Sequence, residues 1–261
     1  MPDLPDHLSH SQALMWLRCQ RQWAFRYLMG LKVPPAGAVV VGSAAHGAIE
    51  YLNKIKGAER KAPPKDEVLD VYDAKFEEEA PDAIWDEEAP AEAKDRGYRS
   101  LGLYYDTAAE LVQPAGPEAV EEKLIVPLPE VDAYLHSIVD ARTEQGEILD
   151  YKTTSKRVSE APRDATLQLW LYEHIYSLKG IPIHGRKLWY LVCTKKPEVY
   201  SMDIDAAPIR EAERWLRTLA QIRASMVAAV EAGRFLPAPP GQYWCSPKWC
   251  GYWDLCQKEE W

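Results

Sequence analysis

The sequence predicts an α/β fold with three parts. A mainly helical portion, residues 1–117, leads into an α/β core, 118–200, and then into a long helix and Cys-rich tail, 201–261. Three observations carry this reading. Apolar residues recur at three- and four-residue spacing up to Val112. Short strand-like runs cluster between Lys123 and Thr194. Three of the five cysteines fall between Cys245 and Cys256.

The first helix starts at Ser9 or Ser11 and runs to about Tyr27 or Leu28, because Ser9 and Gln12 have the spacing of a capping box. Trp16, Gln20, Trp23 and Tyr27 share one face, and Cys19 falls inside this helix. An extended piece, Leu31 to Val40, is broken by Pro34 and Pro35. Gly42 opens the next helix, to about Lys56, with Ala45, Ile49 and Leu52 inward and His46 and Glu50 one turn apart. Helical patterns continue through Asp66–Glu79 and Ala93–Val112, and Pro114, Gly116 and Pro117 close the section. Strands are expected at Lys123–Pro129, Tyr134–Thr143, Glu147–Thr153 and Lys187–Thr194. A helix, Ala165–Leu178, lies between the last two with a stripe of Leu167, Leu171, Ile175 and Leu178. The long helix, Ala207–Ala232, carries Ile209, Leu216, Leu219, Met226 and Val230 and stops at Gly233.

The 261 residues, 47% hydrophobic and 27% charged, suit a single domain with a real core. No apolar run approaches the roughly 18 residues of a membrane span, and the polar N-terminus lacks the pattern of a signal peptide. The expected compartment is therefore the cytoplasm, where an odd set of five thiols speaks for metal ligation or packing rather than disulfides. A net charge of −9 argues against a uniformly basic nucleic-acid binder. Eight of the acidic residues, however, lie between Glu77 and Glu92 with no basic residue among them, in what reads as a solvated connector.

The chemistry concentrates between Ser137 and Thr154. Two strands joined by Glu144-Gln145-Gly146 pair so that Thr143 faces Glu147, Arg142 faces Ile148 and Asp140 faces Asp150, with Gly146 at the positive-φ position. Alternation puts Asp150 and Lys152 on one face. Opposed carboxylates destabilise a sheet unless something cationic lies between them. A divalent ion such as Mg2+ or Mn2+ takes one or two carboxylates and keeps several waters. A neighbouring lysine could then stabilise charge on a phosphate.

At these residues the chain resembles the RecB-type branch of the PD-(D/E)XK nucleases, which includes stand-alone exonucleases and CRISPR-adaptation nucleases. The resemblance spans nearly the whole chain: Ser9-His-Ser-Gln leading to Cys19, Gly42-Ser-Ala-Ala-His46, Asp140, Asp150-Tyr-Lys152, Gln168-Leu-Trp-Leu-Tyr172, and Cys245, Cys250 and Cys256 in order. Each motif alone is weak, since a lone histidine or a Gln/Tyr pair is commonly structural. Two departures are Ser137, where the family often has Gly, and Gln20, where it often has Pro.

The resemblance implies a PD-(D/E)XK core, a mixed central sheet flanked by helices. His46, Asp140, Asp150 and the Tyr151 carbonyl would ligate Mg2+ or Mn2+. Lys152 would be the catalytic lysine, and Gln168 and Tyr172 would border the site. Glu121 or Glu122 matches an acidic position of part of the family. Cys19, Cys245, Cys250 and Cys256 would hold a 4Fe–4S cluster, with zinc the lesser alternative because it accepts the same four thiolates. Cys193, in an apolar strand, reads as core. The implied activity is a metal-dependent deoxyribonuclease, an exonuclease on DNA ends or single strands in phage or bacterial recombination and repair. The alternatives are a CRISPR-adaptation nuclease that trims spacer precursors beside an integrase, and a non-catalytic DNA-binding module. DNA is the expected partner, with a homo-oligomer or a recombination or CRISPR protein as further partners and no membrane. Lys156, Arg157, Arg163, Arg18, Arg21, Arg26, Lys32, Arg96 and Arg99 are candidate phosphate contacts, and the ten Trp and fourteen Tyr offer stacking surfaces.

Overall fold

The computed structural model describes residues 4–85, 88–128 and 131–258. The expected strand end at Pro129, the Asp86-Glu87 part of the acidic run and the side chain of Ile209 lie outside the described residues. In chain order the elements are β1 (His7–Leu8), α1 (His10–Arg18), α2 (Gln20–Trp23), α3 (Gly37–Glu59), α4 (Lys65–Glu79), α5 (Pro90–Thr107), β2 (Val120–Pro127), β3 (Tyr134–Arg142), β4 (Glu147–Thr154), α6 (Arg163–Leu178), β5 (Gly185–Val192), β6 (Glu198–Asp203), α7 (Ile209–Ala232) and α8 (Trp253–Lys258). The chain divides into two compact units. One comprises residues 1–34, 124–137 and 209–261, the other 35–123 and 138–208.

In the second unit, β3 and β4 are antiparallel, β4 and β5 parallel, and β5 and β6 antiparallel. A parallel neighbour needs a crossover, and α6 supplies it, making β4–α6–β5 a βαβ step. The hairpin register is the one expected. Arg142 lies opposite Ile148 and Ala141 opposite Leu149. The Thr143 N–H donates to the Glu147 carbonyl at 2.8 Å, and Gly146 takes φ +75° at the turn. The core of this unit is built from α3, α4 and α5 with the inner faces of the strands, including Leu52, Tyr72, Leu101, Tyr104, Leu149, Tyr151 and Leu191.

α3 begins at Gly37, five residues before the expected start at Gly42. Gly42 is instead a helical residue pressed against β4: a Cβ there would sit 2.9 Å from Thr153 Oγ1. The α6 stripe also differs from expectation. Leu169, Leu171, Tyr172, Ile175 and Tyr176 are buried, whereas Leu178 is 60% exposed. The helix therefore presents two tyrosines inward, which an aliphatic period does not reveal. β1 and β6 were not expected from the sequence, being short and without clear alternation.

In the first unit, Ser9 caps α1 as expected, accepting from the Gln12 N–H at 3.2 Å. The expected continuous helix to Leu28 is broken at Cys19, which is extended (φ −166°, ψ 110°). Its thiol accepts from the Gln22 N–H at 3.4 Å and so caps α2. A π-helical turn, Ala24–Leu28, follows. The tail docks on these helices. The Arg21 N–H donates to the Leu236 carbonyl and the Leu236 N–H to Gln20 Oε1. Phe25 stacks on Tyr252 with ring centroids 5.4 Å apart, and the Tyr252 hydroxyl donates to the Leu31 carbonyl. β1 lies parallel to the start of β3, with His7 opposite Tyr134.

Candidate active site

The sequence-predicted residues of the hairpin, of α3 and of α6 all fall in the second unit. The observed register sets Asp140 across from Asp150. The Tyr151 N–H donates to Asp140 Oδ2 at 2.7 Å and fixes that carboxylate. His46, on α3, brings Nδ1 within 3.7 Å of the same oxygen. Lys152 Nζ lies 2.8 Å from Asp150 Oδ2. That contact pairs the buried carboxylate oxygen directly with the ammonium.

Asp150 is 2% exposed. Burial raises its pKa to about 6, the Asp140 charge adds to the shift, and Lys152 and His46 offset part of it. Burial works against the Lys152 charge, yet Asp150, with Asp140 and Asp164, outweighs it and holds the ammonium above its ordinary value. The site thus keeps a protonated lysine beside a carboxylate that is reluctant to ionise until more positive charge arrives.

α6 places Gln168 and Tyr172 one turn apart. Gln168 Nε2 donates to the Tyr172 hydroxyl at 2.5 Å. The Tyr172 phenol is pushed far up, by burial first and then by Asp150 and Asp140, so it faces the carboxylates.

Of the two glutamates left open by the sequence, Glu121 faces this cluster. Burial pushes its pKa up to about 7, with Asp140, Glu50 and Asp150 adding to the shift. Its backbone occupies the left-handed region, φ 51°, which a non-glycine residue adopts at a cost of order 1–3 kcal/mol. Glu122 goes elsewhere: it accepts from the Tyr176 hydroxyl at 2.7 Å and pairs with Arg142. Strand alternation alone puts the two on opposite faces without saying which faces the site, so the sequence carried no signal to choose.

Behind the site, the Tyr151 hydroxyl is 3.0 Å from that of Tyr104 and accepts from Asn53 at 3.1 Å. These buried hydrogen bonds anchor the residue whose N–H holds Asp140.

The donor types suit a hard divalent cation: two carboxylates, an imidazole and a nearby third carboxylate. Among the described residues, though, no three His, Cys, Asp or Glu side chains stand close enough to form a finished ligand cage. His46 is turned toward Asp140, and Lys152 occupies the approach to Asp150.

The four tail-associated cysteines are all reduced and partly buried. They belong to the first unit. Cys250 has its thiol raised by burial, opposed in part by a backbone hydrogen bond, and the thiols of Cys19, Cys245 and Cys256 push it further. Cys245, likewise raised by burial, responds to Cys19 and Cys256. The four thus influence one another, yet among the described residues no three of them are grouped as they would be to hold a metal ion. Arg21 Nη1 donates toward Cys256 Sγ at 3.7 Å. Cys193 is buried, 6% exposed, as expected of a core residue. Several of the candidate phosphate contacts are engaged within the protein: Arg96 pairs with Glu88, Arg99 with Asp95 and Arg157 with Glu198, and Arg18 donates to Gln22.

A family model for the PD-(D/E)XK nuclease superfamily matches residues 7–257. Among solved structures, one designated a putative exonuclease, from Eubacterium rectale, superposes with a TM-score of 0.65 at 10% identity, covering 98% of this chain and 89% of the other. At that identity the likeness is one of fold. SSO0001 aligns over 98% of this chain and 88% of its own at 12% identity, with a TM-score of 0.46. No curated protein sequence matches. The mixed sheet flanked by helices, the Asp140, Asp150 and Lys152 constellation on its hairpin, and a match over nearly the full length agree, and the chain belongs to the PD-(D/E)XK nuclease superfamily.

Proposed function

We propose that this protein is a divalent-metal-dependent deoxyribonuclease of the RecB type, an exonuclease acting on DNA ends or single strands as a single nuclease domain. The observation that carries the reading is the buried Asp150, facing Asp140 and raised to about 6 although Lys152 is paired to it. A carboxylate perturbed by burial and by a second carboxylate beside a paired lysine is the kind of group that marks a functional site.

His46, Asp140, Asp150 and the Tyr151 carbonyl would hold Mg2+ or Mn2+, with Glu121 as an added carboxylate. The bound ion supplies Lewis-acid polarisation of the phosphate and lowers the pKa of water. Lys152 sets its positive charge where negative charge builds on the phosphate. The Tyr151 N–H keeps Asp140 in one rotamer. Gln168 and Tyr172 orient each other and offer hydrogen-bonding groups to the DNA backbone at the edge of the site.

Cys19, Cys245, Cys250 and Cys256 would hold a 4Fe–4S cluster, and their mutual electrostatic influence supports this grouping. The cluster would staple the first helices to the tail and add its binding free energy to folding.

The test uses anaerobically purified protein with end-labelled single- and double-stranded DNA, with Mg2+ or Mn2+ and with EDTA, beside Asp150→Ala. Metal-dependent loss of the label that disappears in the variant supports the reading, and the labelled end gives the polarity. Intact, metal-loaded protein that leaves DNA untouched overturns it.

A further inference from the structure

The charge of this acidic chain is unevenly placed. The first unit carries 11 Lys and Arg against 10 Asp and Glu, so the excess negative charge belongs to the second. Within the first unit, residues 7–34 and 232–253 contain six basic residues and no acidic one, with Glu231 and Asp254 just outside the second stretch. The same two segments pack on each other. Arg21 Nε donates to the Phe235 carbonyl, Trp16 meets Phe235 edge to face at 6.3 Å, and Gly251 lies against Val33. Two distant segments without acidic side chains of their own are thereby packed together.

Arg18 donates to Gln22 and Arg21 to the Phe235 carbonyl. Arg26, Lys32, Arg234 and Lys248 are exposed, and none of these four is ion-paired with a described carboxylate. Large aromatics are exposed beside these cations. Tyr243 is 70% exposed and Trp249 59%, although burying such rings is worth several kcal/mol. The two meet edge to face at 6.0 Å, and Lys248 Nζ lies 5.5 Å from the Trp249 ring centroid. Arg26 stands over Tyr27 at 5.5 Å, and Arg26 and Tyr27 lie close enough to Tyr252 to influence its hydroxyl.

Exposed rings with cations alongside suit a ligand that alternates flat faces with single negative charges. We infer that this surface of the first unit is a further nucleic-acid site, built from other residues than the candidate catalytic ones, which holds single-stranded DNA or RNA with bases stacked on Tyr243 and Trp249 and phosphates at Lys248, Arg26 and Lys32. Base stacking has no sequence requirement, because every base has a π-face, so the site is indifferent to sequence. The inference rests on the nuclease reading and extends it from cleavage to the retention of a strand.

The test is equilibrium binding of fluorescein-labelled oligo(dT) by the metal-loaded protein in EDTA-free buffer without Mg2+ or Mn2+, read by anisotropy at several salt concentrations. The double variant Trp249→Ala/Tyr243→Ala should lose affinity by on the order of tenfold or more. Trp249→Phe/Tyr243→Phe should restore it, because rings and not hydroxyl or indole N–H carry the contact. Lys248→Gln/Arg26→Gln/Lys32→Gln should lower the magnitude of the log–log salt slope by about 2, at about 0.7 per phosphate on a single strand. Near-UV circular dichroism identifies any variant that has lost the fold, and the Phe pair and Gln triple then decide. Wild-type affinity in the Ala pair, or a Gln triple with an unchanged salt slope, overturns the inference while leaving the cleavage assay to stand. If poly-glutamate rather than oligo(dT) binds in a manner sensitive to these residues, the surface serves an acidic protein and the inference also falls. A wild-type protein that neither binds oligo(dT) nor cleaves DNA removes both readings together.

Discussion

Replacing Asp150 with Asn should make the metal-free protein more stable and the enzyme inactive. The Asp150 carboxyl is pushed from an ordinary 3.8 to about 6, by burial first and by Asp140 second. A folded-state pKa above the unfolded one stabilises the fold fully at low pH, and that stabilisation is lost as pH rises through about 6. The shift is about two units, so ionising Asp150 at pH 8 costs the metal-free fold about 3 kcal/mol relative to its neutral form. Asn keeps the shape and never ionises. Lys152 loses the anion paired to it and keeps only the fields of Asp140 and Asp164, a cost that counts against the gain. Urea denaturation in EDTA should show Asp150→Asn more stable than wild type at pH 8, by up to about 3 kcal/mol, and the gap should fall to about half at pH 5 and close below about pH 4. A domain of this size gains roughly 2–4 °C in Tm per kcal/mol. Added Mg2+ or Mn2+ should raise the wild-type midpoint through ligand linkage and leave the variant unmoved. An Asn variant less stable than wild type at pH 8, with wild-type stability flat between pH 5 and 8, would refute the argument that the site stores unneutralised charge.

The remaining expectations are briefer. Glu121, pushed up to about 7, should set the acidic limb of the pH–rate profile. Glu121→Gln should move that limb down toward the Asp150 value of about 6, measured as initial cleavage rate at limiting metal, where protons and metal compete for the carboxylates. Tyr176→Phe removes a hydroxyl bonded to Glu122, which should cost about 1–3 kcal/mol of stability. Cleavage by the folded variant should stay within about twofold of wild type, separating the Glu122 and Glu121 roles. Tyr172→Phe, which leaves Gln168 Nε2 without its acceptor, should lower kcat/KM by about tenfold, a loss of about 1.4 kcal/mol of transition-state stabilisation. Cys250→Ala should lose the visible chromophore of an iron–sulfur protein and become insoluble or protease-sensitive. A soluble, colourless and fully active variant would remove the case for a four-cysteine metal site.

Much of this was legible in the chain because the relevant signals are local. A three-residue turn with Gly146 set the pairing of Asp140 with Asp150, since positive φ at one position and a period of two leave little freedom in register. Helix-period apolar residues marked α3, α4, α6 and α7, and Cys193 in an apolar run was rightly read as core. What the sequence could not decide were orientations set by contacts between distant segments. The α3 start at Gly37 comes from chain packing around residues 35–37, where Ala36 bridges to Ile84, and no capping residue announces it. Cys19 lies between two helices because its thiol takes over the capping of α2, whereas periodicity alone ran a helix straight through it. The choice of Glu121 over Glu122 rests on a left-handed residue that breaks strand alternation, and such strain persists only where surrounding packing imposes it. The basic surface of the first unit is invisible in a net charge of −9, because its cations come from stretches some 200 residues apart and become one surface only when the tail docks on the first helices.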